Sequence, residues 1–554
     1  MKILKPLLFA ATTTILLTSC GSTVKPINAA LLKNTNEKTV KTTKIEDAQL
    51  KSWSYTDLAS DTIPGMSVDK AYAELIPSLK GTKVIVAVID SGVDIEHEDL
   101  KNVIWTNTKE IPNNGIDDDK NGYIDDVHGW NFLGDIVGEN LEFVRIIKRY
   151  NAAFDGKSKD DIEESEKDTF NLYESAKSEY NKEHKETKAN FDRYSQMLNQ
   201  VTVSHDAISK KVGKEDYSAE DLTSISDPTE EDQKNIGILS QMLSYGGTIP
   251  EFKERLNGGV QYFQGRLENH FTMDTDFRAV LKDNPYDIND NVYGNNDVDG
   301  PDLKKEDAKH GTHVAGIIAA QRGNNIGMDG VAQNVEIMAL RAVPDGDEYD
   351  KDVALAIRYA ADNGAKVINT SFGKAFSQNP EWVWDAIKYA AKKDVLIVNA
   401  AGNDANNLDV VVSYPNDEAI KSEEISDNFI TIGALNYKYG KEMVATFSNY
   451  GAANVDLFSP GVKIWSTTPL DTYEYLQGTS MASPNAAGVA AMVRSYYPKL
   501  SAKQVKRVLM DSGLSVSASV IVGGDESKMQ PFTAISKSGK TVNLYNALIL
   551  ASKL

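Results

Sequence analysis

Two kinds of apolar pattern run along the chain. Val84–Ile89 and Val395–Asn399 are short β-branched runs without polar alternation, and Glu336–Leu340 and Lys366–Asn369 have similar length, as strands buried on both faces require. Asp352–Asn363 and Pro380–Lys392, between them, read as helices. This alternation predicts an α/β fold: a largely parallel sheet with helices on both faces and right-handed crossovers. Further on, Asn485–Ala491 is small and apolar throughout and predicts a buried helix, entered through Gly478-Thr479-Ser480-Met481-Ala482-Ser483-Pro484.

A different periodicity interrupts this pattern. Phe170, Tyr173, Tyr180, His184, Phe191, Tyr194, Leu198 and Val201 recur at three-and-four spacing, the seam of one long amphipathic helix that needs a partner. Pro228-Thr229-Glu230-Glu231 opens another helix through Met242, Gly246-Gly247 ends it, and Pro250 to Phe271 makes a third. Residues 141–284 therefore read as a helical hairpin or bundle set into the α/β unit, which occupies 51–140 and 285–554. An aromatic stripe is ordinarily core, so packing is its simplest role.

At the amino terminus, Met1–Lys5 is basic and Pro6–Thr18 apolar, too short to span a bilayer and suited to an export signal. Residues 21–50 are polar and read as a tether. The formal charge of −21 argues against nucleic acid or anionic membrane surfaces as partners. Cys20 is the only cysteine, so no intrachain disulfide can form and any stapling falls to metals or packing. Asp117-Asp118-Asp119-Lys120-Asn121-Gly122 sets oxygen ligands at alternating positions with glycine sixth, the spacing of a calcium loop. Asp117, Asp119 and Asn121 are the candidate ligands, with Asp125 and Asp126 closing the site because His128 stands where the terminal Glu is expected. The alternative is a solvated acidic turn.

A hydroxyl at a helix start faces unsatisfied N–H groups and the positive end of the dipole, so Ser480 either caps the helix or attacks and holds an oxyanion. Alone, the stretch favours the cap. A nucleophile, however, needs a base, and the base an orienting acid. Asp90-Ser91-Gly92 ends the first strand at the edge where open α/β sheets carry their sites. His310-Gly311-Thr312-His313-Val314-Ala315-Gly316 opens a second small-residue helix and supplies the imidazole. With this order, and with Ala400-Ala401-Gly402-Asn403 after the strand at Val395, the chain resembles the subtilisin-like serine proteases.

The resemblance implies that Asp90 orients, His310 is the base, Ser480 is the nucleophile and His313 is structural, with the Asn403 amide joining the Ser480 N–H around the oxyanion. It implies a second calcium ion between the segments of Asp99 and Asn324. It also makes Ser371, Phe372 and Gly373 one wall of the primary specificity pocket, Ala400, Ala401 and Gly402 the other, and Ser413 its floor. A small uncharged floor leaves room for a large apolar side chain and fixes no carboxylate to select Arg or Lys. Leu17-Thr18-Ser19-Cys20 resembles a bacterial lipobox, which implies lipidation of Cys20 and anchoring in the cell envelope. The helical segment becomes a long insertion between the Asp and His motifs, the stretch before Trp53 is too short for the usual propeptide, and 541–548 resembles the usual end of the domain. The expectation is thus a lipid-anchored, extracytoplasmic serine endopeptidase acting on polypeptides, with structural Ca2+ and no organic cofactor. An inactive subtilase-fold lipoprotein that binds peptides or scaffolds a complex is the alternative, and another acyl transfer on the same site is a further rival.

Overall fold

The computed structural model describes residues 26–33, 44–420 and 423–554. Cys20 and the export segment lie outside the described residues. A nine-stranded sheet organises the rest. In chain order its strands are β1 Val84–Asp90, β2 Gly129–Asn131, β3 Val335–Arg341, β4 Val367–Thr370, β5 Leu396–Ala400, β6 Phe429–Leu435, β7 Leu457–Pro460, β8 Leu514–Ser515 and β9 Lys540–Thr541. Across the sheet the order is β8-β9-β7-β6-β5-β4-β1-β3-β2, with only β8 and β9 antiparallel. β1 lies between β4 and β3, so the winding reverses there and opens a crevice at the strand ends, with Asp90 as the last residue of β1.

Burial explains the sequence pattern. β4 and β5 are wholly buried, and one residue each of β1 and β3 escapes, so neither face tolerates polar alternation. Val86 and Val88 enter one core with the helices Lys309–Ala319 and Thr479–Tyr496, while Ala87 and Ile89 enter the other with Asp350–Asp362 and Pro380–Lys392. Ser480 is the one residue of Thr479–Tyr496 that is not buried.

The helical subdomain leaves after β2 and returns before β3. Its longer helices are Glu142–Phe154, Lys167–Val212, Glu230–Ser244 and Ile249–Gly265, the last closing in a wide turn over Arg266–His270. Lys167–Val212 has 46 residues, a rod about 69 Å long at 1.5 Å per residue. It carries two apolar clusters. Near its start, Phe170 and Tyr173 pack on Phe154, Val144 and Ile147; near its end, Val201 and Ile208 pack with Leu239, Ile249 and Leu256. Between them Tyr194 meets Phe263 at 5.4 Å, and a Cβ on Gly259 would lie 2.3 Å from the Tyr194 ring, so only glycine allows this approach. Glu142–Phe154 is not among the helices singled out from sequence, although its Phe143, Ile146, Ile147, Tyr150 and Phe154 recur at three-and-four spacing.

The polar stretch before residue 51 is not wholly a tether. Ile27, Ala29 and Leu32 pack on the main core, the Ile27 N–H donates to Ser552 Oγ at 2.9 Å, and the Leu32 N–H donates to Asn546 Oδ1 at 2.7 Å. Apolar residues spaced through a Lys- and Asn-rich segment were enough to dock it. No helix among the described residues is long and apolar enough to cross a membrane.

Where the chain returns from the helical subdomain, buried charges meet. Arg278 Nη1 and Nη2 each donate to Asp352 at 2.7 Å, its Nε donates to Asp283 at 2.9 Å, and Lys351 Nζ donates to Asp283 at 2.7 Å. Two cations offset two carboxylates in a site almost closed to water. Removing one partner strands a buried charge, so Arg278→Met is expected to cost about 3–5 kcal/mol, read as a lower urea midpoint at an unchanged slope. A loss below about 1 kcal/mol, typical of exposed pairs, would mean that Lys351 alone suffices.

Candidate active site

Asp90 ends β1 fully buried. One oxygen accepts from the Ser91 N–H at 2.8 Å and lies 2.7 Å from His310 Nδ1, while the other has no partner. The helix Lys309–Ala319 brings His310 there only because Gly311 lacks a side chain: a Cβ would sit 2.1 Å from the Gly92 carbonyl oxygen and 3.0 Å from the Asp90 Cβ. Thr467 and Ser466 hydroxyls, donating at 2.8 Å to the Thr312 and His313 carbonyls, fix the helix from the other side. Desolvation opposes an imidazolium at His310, but the charge of Asp90 and its hydrogen bond prevail and raise the pKa above its ordinary value. His310 still exposes 39% of its side chain. His313 is its opposite: fully buried, turned to the Glu474 carbonyl at 3.2 Å, and pushed down to about 3 by burial, so it stays neutral.

Ser480 and Ser371 clasp each other. The Ser480 hydroxyl donates to the Ser371 carbonyl at 3.0 Å, and the Ser371 hydroxyl donates to the Ser480 carbonyl at 2.8 Å. Beneath them Asn369 donates to Ser371 Oγ at 2.9 Å and accepts from the Ser483 hydroxyl at 2.8 Å, a buried network that fixes the helix start on β4. Asn403 is oriented from the same helix: its Oδ1 accepts from the Thr479 N–H at 2.8 Å and from the Thr479 hydroxyl at 3.0 Å. The oxygen is so committed, and Asn403 itself is exposed.

A cleft of about 700 Å³ opens beside Ser480, lined by Ser371, Phe372, Gly373, Gly402 and Ser413. Ala401 instead buries its side chain in the core. Lys374 and Tyr414 exchange backbone hydrogen bonds of 2.8 and 2.9 Å, tying the Ser371–Gly373 segment to the segment of Ser413. Behind Ser413 a smaller cavity shares Ala400 and Val412 with the cleft and is lined by Asp417, whose carboxyl burial pushes up to about 7. The sequence reading stopped at Ser413; the acidic pair following Asn416 was the signal for this residue.

The acidic loop divides its carboxylates between two tasks. Asp119 and Asp126 converge with Glu110, their ligand atoms within 4.8 Å of one another. Glu110 keeps one buried oxygen without a partner, and burial pushes the Asp126 carboxyl up despite hydrogen bonds from Tyr359, Asn121 and Asn107. Asp117 and Asp125, expected as ligands, do not join them. Asp117 accepts from the Asn121 and Gly122 N–H groups at 3.1 and 2.9 Å, the first shared with Asp119, and Asp125 from those of Asn114 and Gly115 at 3.1 and 2.8 Å, so both carboxylates serve the tight turns. Asn121 turns its amide nitrogen to Asp126 at 2.8 Å. Glu110 escaped the sequence reading because it lies outside the spaced run. Asp99 and Asn324 do meet, the amide donating to the carboxylate at 2.7 Å.

The family model that matches the chain is described as the subtilase family and covers residues 81–530. A thermophilic serine proteinase of Bacillus sp. (strain AK1) is 42% identical over 202 residues, 36% of this chain and 45% of that protein. The cell wall-associated protease of Bacillus subtilis (strain 168) is 36% identical over 234 residues, 42% of this chain and 24% of that protein. Subtilisin DY of Bacillus licheniformis is 34% identical over 234 residues, 42% of this chain and 80% of that protein. The chain thus spans less than half the length of the first two relatives. With its parallel sheet covered on both faces and a family model matching most of its length, the chain belongs to the subtilase family.

Proposed function

We propose that the protein is a serine endopeptidase that cleaves polypeptides through an acyl-enzyme. The observation that carries this reading is the 2.7 Å contact of a buried Asp90 with His310 Nδ1, which leaves the other imidazole nitrogen free to act as base. In the reaction the Ser480 hydroxyl leaves the Ser371 carbonyl, gives its proton to His310 and attacks a peptide carbonyl. The Ser480 N–H and the Asn403 amide then hold the oxyanion. His310 next protonates the departing amine, and water reverses these steps to release the acid. The wall residues Ser371–Gly373 and the small Ser413 favour a large apolar residue before the cut. An inactive, peptide-binding member would keep the cleft without this chemistry.

Ser480→Ala is expected to abolish fluorophosphonate labelling and to lower kcat by about 10⁶, the loss measured for the nucleophile of subtilisin, a relative of this chain. Surviving labelling would reject the assignment. Activity should rise with pH as His310 loses its proton, with a midpoint above the ordinary value of about 6.5 because Asp90 favours the charged form. Asp90→Asn should move that midpoint down, and a midpoint in the unaltered protein at or below the ordinary value would contradict the pairing.

We further propose that Glu110, Asp119 and Asp126 hold Ca2+, and that Asp99 and Asn324 help hold a second ion. Three convergent oxygens, one buried and unpartnered, suit a hard cation. Its role would be structural: calcium at a hundredfold excess over Kd adds about 2.7 kcal/mol to the native state. Chelation should therefore lower Tm, and Glu110→Gln with Asp126→Asn should remove much of that dependence. An undiminished calcium response in this variant would reject the site.

The lipobox-like Leu17-Thr18-Ser19-Cys20 supports a lipid anchor in a bacterial cell envelope. Incorporation of labelled fatty acid, lost in Cys20→Ser, is the expected outcome, and incorporation that persists would place the anchor elsewhere.

A further inference from the structure

The cleft beside Ser480 has a second wall that belongs to the helical subdomain. Glu179, Lys182 and Glu183 from Lys167–Val212, Arg266 from the turn after Ile249–Gly265, and Leu141 and Phe143 from the first helix and its lead-in line the same space as Ser371–Gly373. Its charged part is neutralised internally: Lys182 lies 2.9 Å from Glu179, and Arg266 lies 3.5 Å from Glu183.

The wall is fastened where the specificity segment is fastened. Lys374 follows Gly373 directly, and its ammonium, 2% exposed, donates to the Glu348 carbonyl at 2.7 Å and pairs with Asp350 at 2.9 Å and Glu142 at 3.3 Å. Glu142 opens the first helix of the subdomain, is 3% exposed, and also receives the Arg145 guanidinium and the Gln378 amide. The Glu142 N–H donates to Asp347 at 2.7 Å, Arg145 donates to the Asp347 and Glu348 carbonyls at 2.6 and 3.0 Å, and Phe143 meets Phe376 edge-on at 6.0 Å. Burial disfavours the Glu142 carboxylate, but Arg145 and Lys374 outweigh it and hold the group charged. Separating Glu142 from Lys374 would leave each buried charge with one partner fewer, Lys374 with Asp350 and Glu142 with Arg145.

We infer that the helical subdomain is a fixed second wall of the cleft, locked to the specificity segment through Glu142 and Lys374, and that it restricts substrates to extended, flexible polypeptide segments. The inference rests on the endopeptidase reading above. A single extended strand enters between two walls, whereas a folded domain must first open locally to deliver one.

The test uses the full chain on one disulfide-bonded protein offered folded or reduced and alkylated, with a short chromogenic peptide as reference. The unfolded form should be cut about 100-fold faster than the folded one or more, since cleavage of the latter waits on opening. In Glu142→Gln with Lys374→Met, which removes both locking charges together, this preference should fall by about tenfold as the wall loosens. If that variant does not fold, simultaneous alanine at Glu179, Lys182, Glu183 and Arg266 is expected to lower the preference in the same direction. Equal rates on folded and unfolded protein by the full chain, or an unchanged preference in a folded variant that still takes a fluorophosphonate, overturns the inference. A full chain that neither labels nor cuts the peptide overturns the endopeptidase reading instead.

Discussion

The closeness of the Lys309–Ala319 helix to the end of β1 is the contact on which the site depends. Gly311 lies so near Gly92 that any side chain there would enter the backbone, and this approach sets His310 on a fully buried Asp90. A carboxylate without access to water needs compensation, and here one oxygen receives the Ser91 amide and the imidazole while the other receives nothing. The imidazolium is therefore the main source of relief for Asp90, which explains why His310 holds its proton more firmly than an ordinary histidine although desolvation acts against it. His313, one helical turn along, has no acid and is driven the other way. Two histidines on one helix differ in chemistry because only one faces the switch point of the sheet.

The same economy of buried charge holds the helical subdomain. Its departure from the sheet is marked by Glu142, Arg145 and Lys374, and its return by Arg278, Asp283, Asp352 and Lys351. Clusters of this kind add little net stability over an apolar packing, since desolvation consumes most of the Coulomb energy, but an apolar patch slides where a bidentate pair cannot. In a chain with one cysteine and hence no internal disulfide, such clusters fix orientation where covalent bonds cannot.

Much of the fold was legible because burial on both faces leaves an unmistakable trace: β1, β3, β4 and β5 fall within about a residue of the apolar runs that predict them. Asp90, His310 and Ser480 could be singled out because each stands at a strand end or helix start with small neighbours, whereas Asn403 came from the family resemblance. What failed was proximity between distant segments. A carboxylate in sequence does not reveal whether it will converge with other carboxylates or turn to backbone amides, so Asp117 and Asp125 were expected beside Asp119, and Glu110 was not. Asp417 was missed for a related reason, since the depth of a cavity behind Ser413 depends on how β5 and the following loop pack. The helix Glu142–Phe154 was legible, since Phe143, Ile146, Ile147, Tyr150 and Phe154 form an apolar stripe; what that pattern does not reveal is that the ions beside it, Glu142 and Arg145, are buried as well.

Those ions also bear on whether the second wall moves. A lid that opens in each cycle is built from contacts that break at little cost, such as exposed polar pairs and sparse apolar surface. The outer part of the helical subdomain is of that kind, with Lys182, Glu179 and Glu183 exposed to solvent to varying degrees. Its root is not, because swinging Glu142 away would leave Lys374 buried against Asp350 alone and would break the bonds of Arg145 to the Asp347 and Glu348 carbonyls. Ser371 hydrogen-bonds with Ser480, and Lys374 with Tyr414, so displacing the root would also disturb the segment on which Ser480 rests. A wall anchored in this way acts by shape, through what fits beside it, and the cost of moving it falls on the geometry around Ser480 itself.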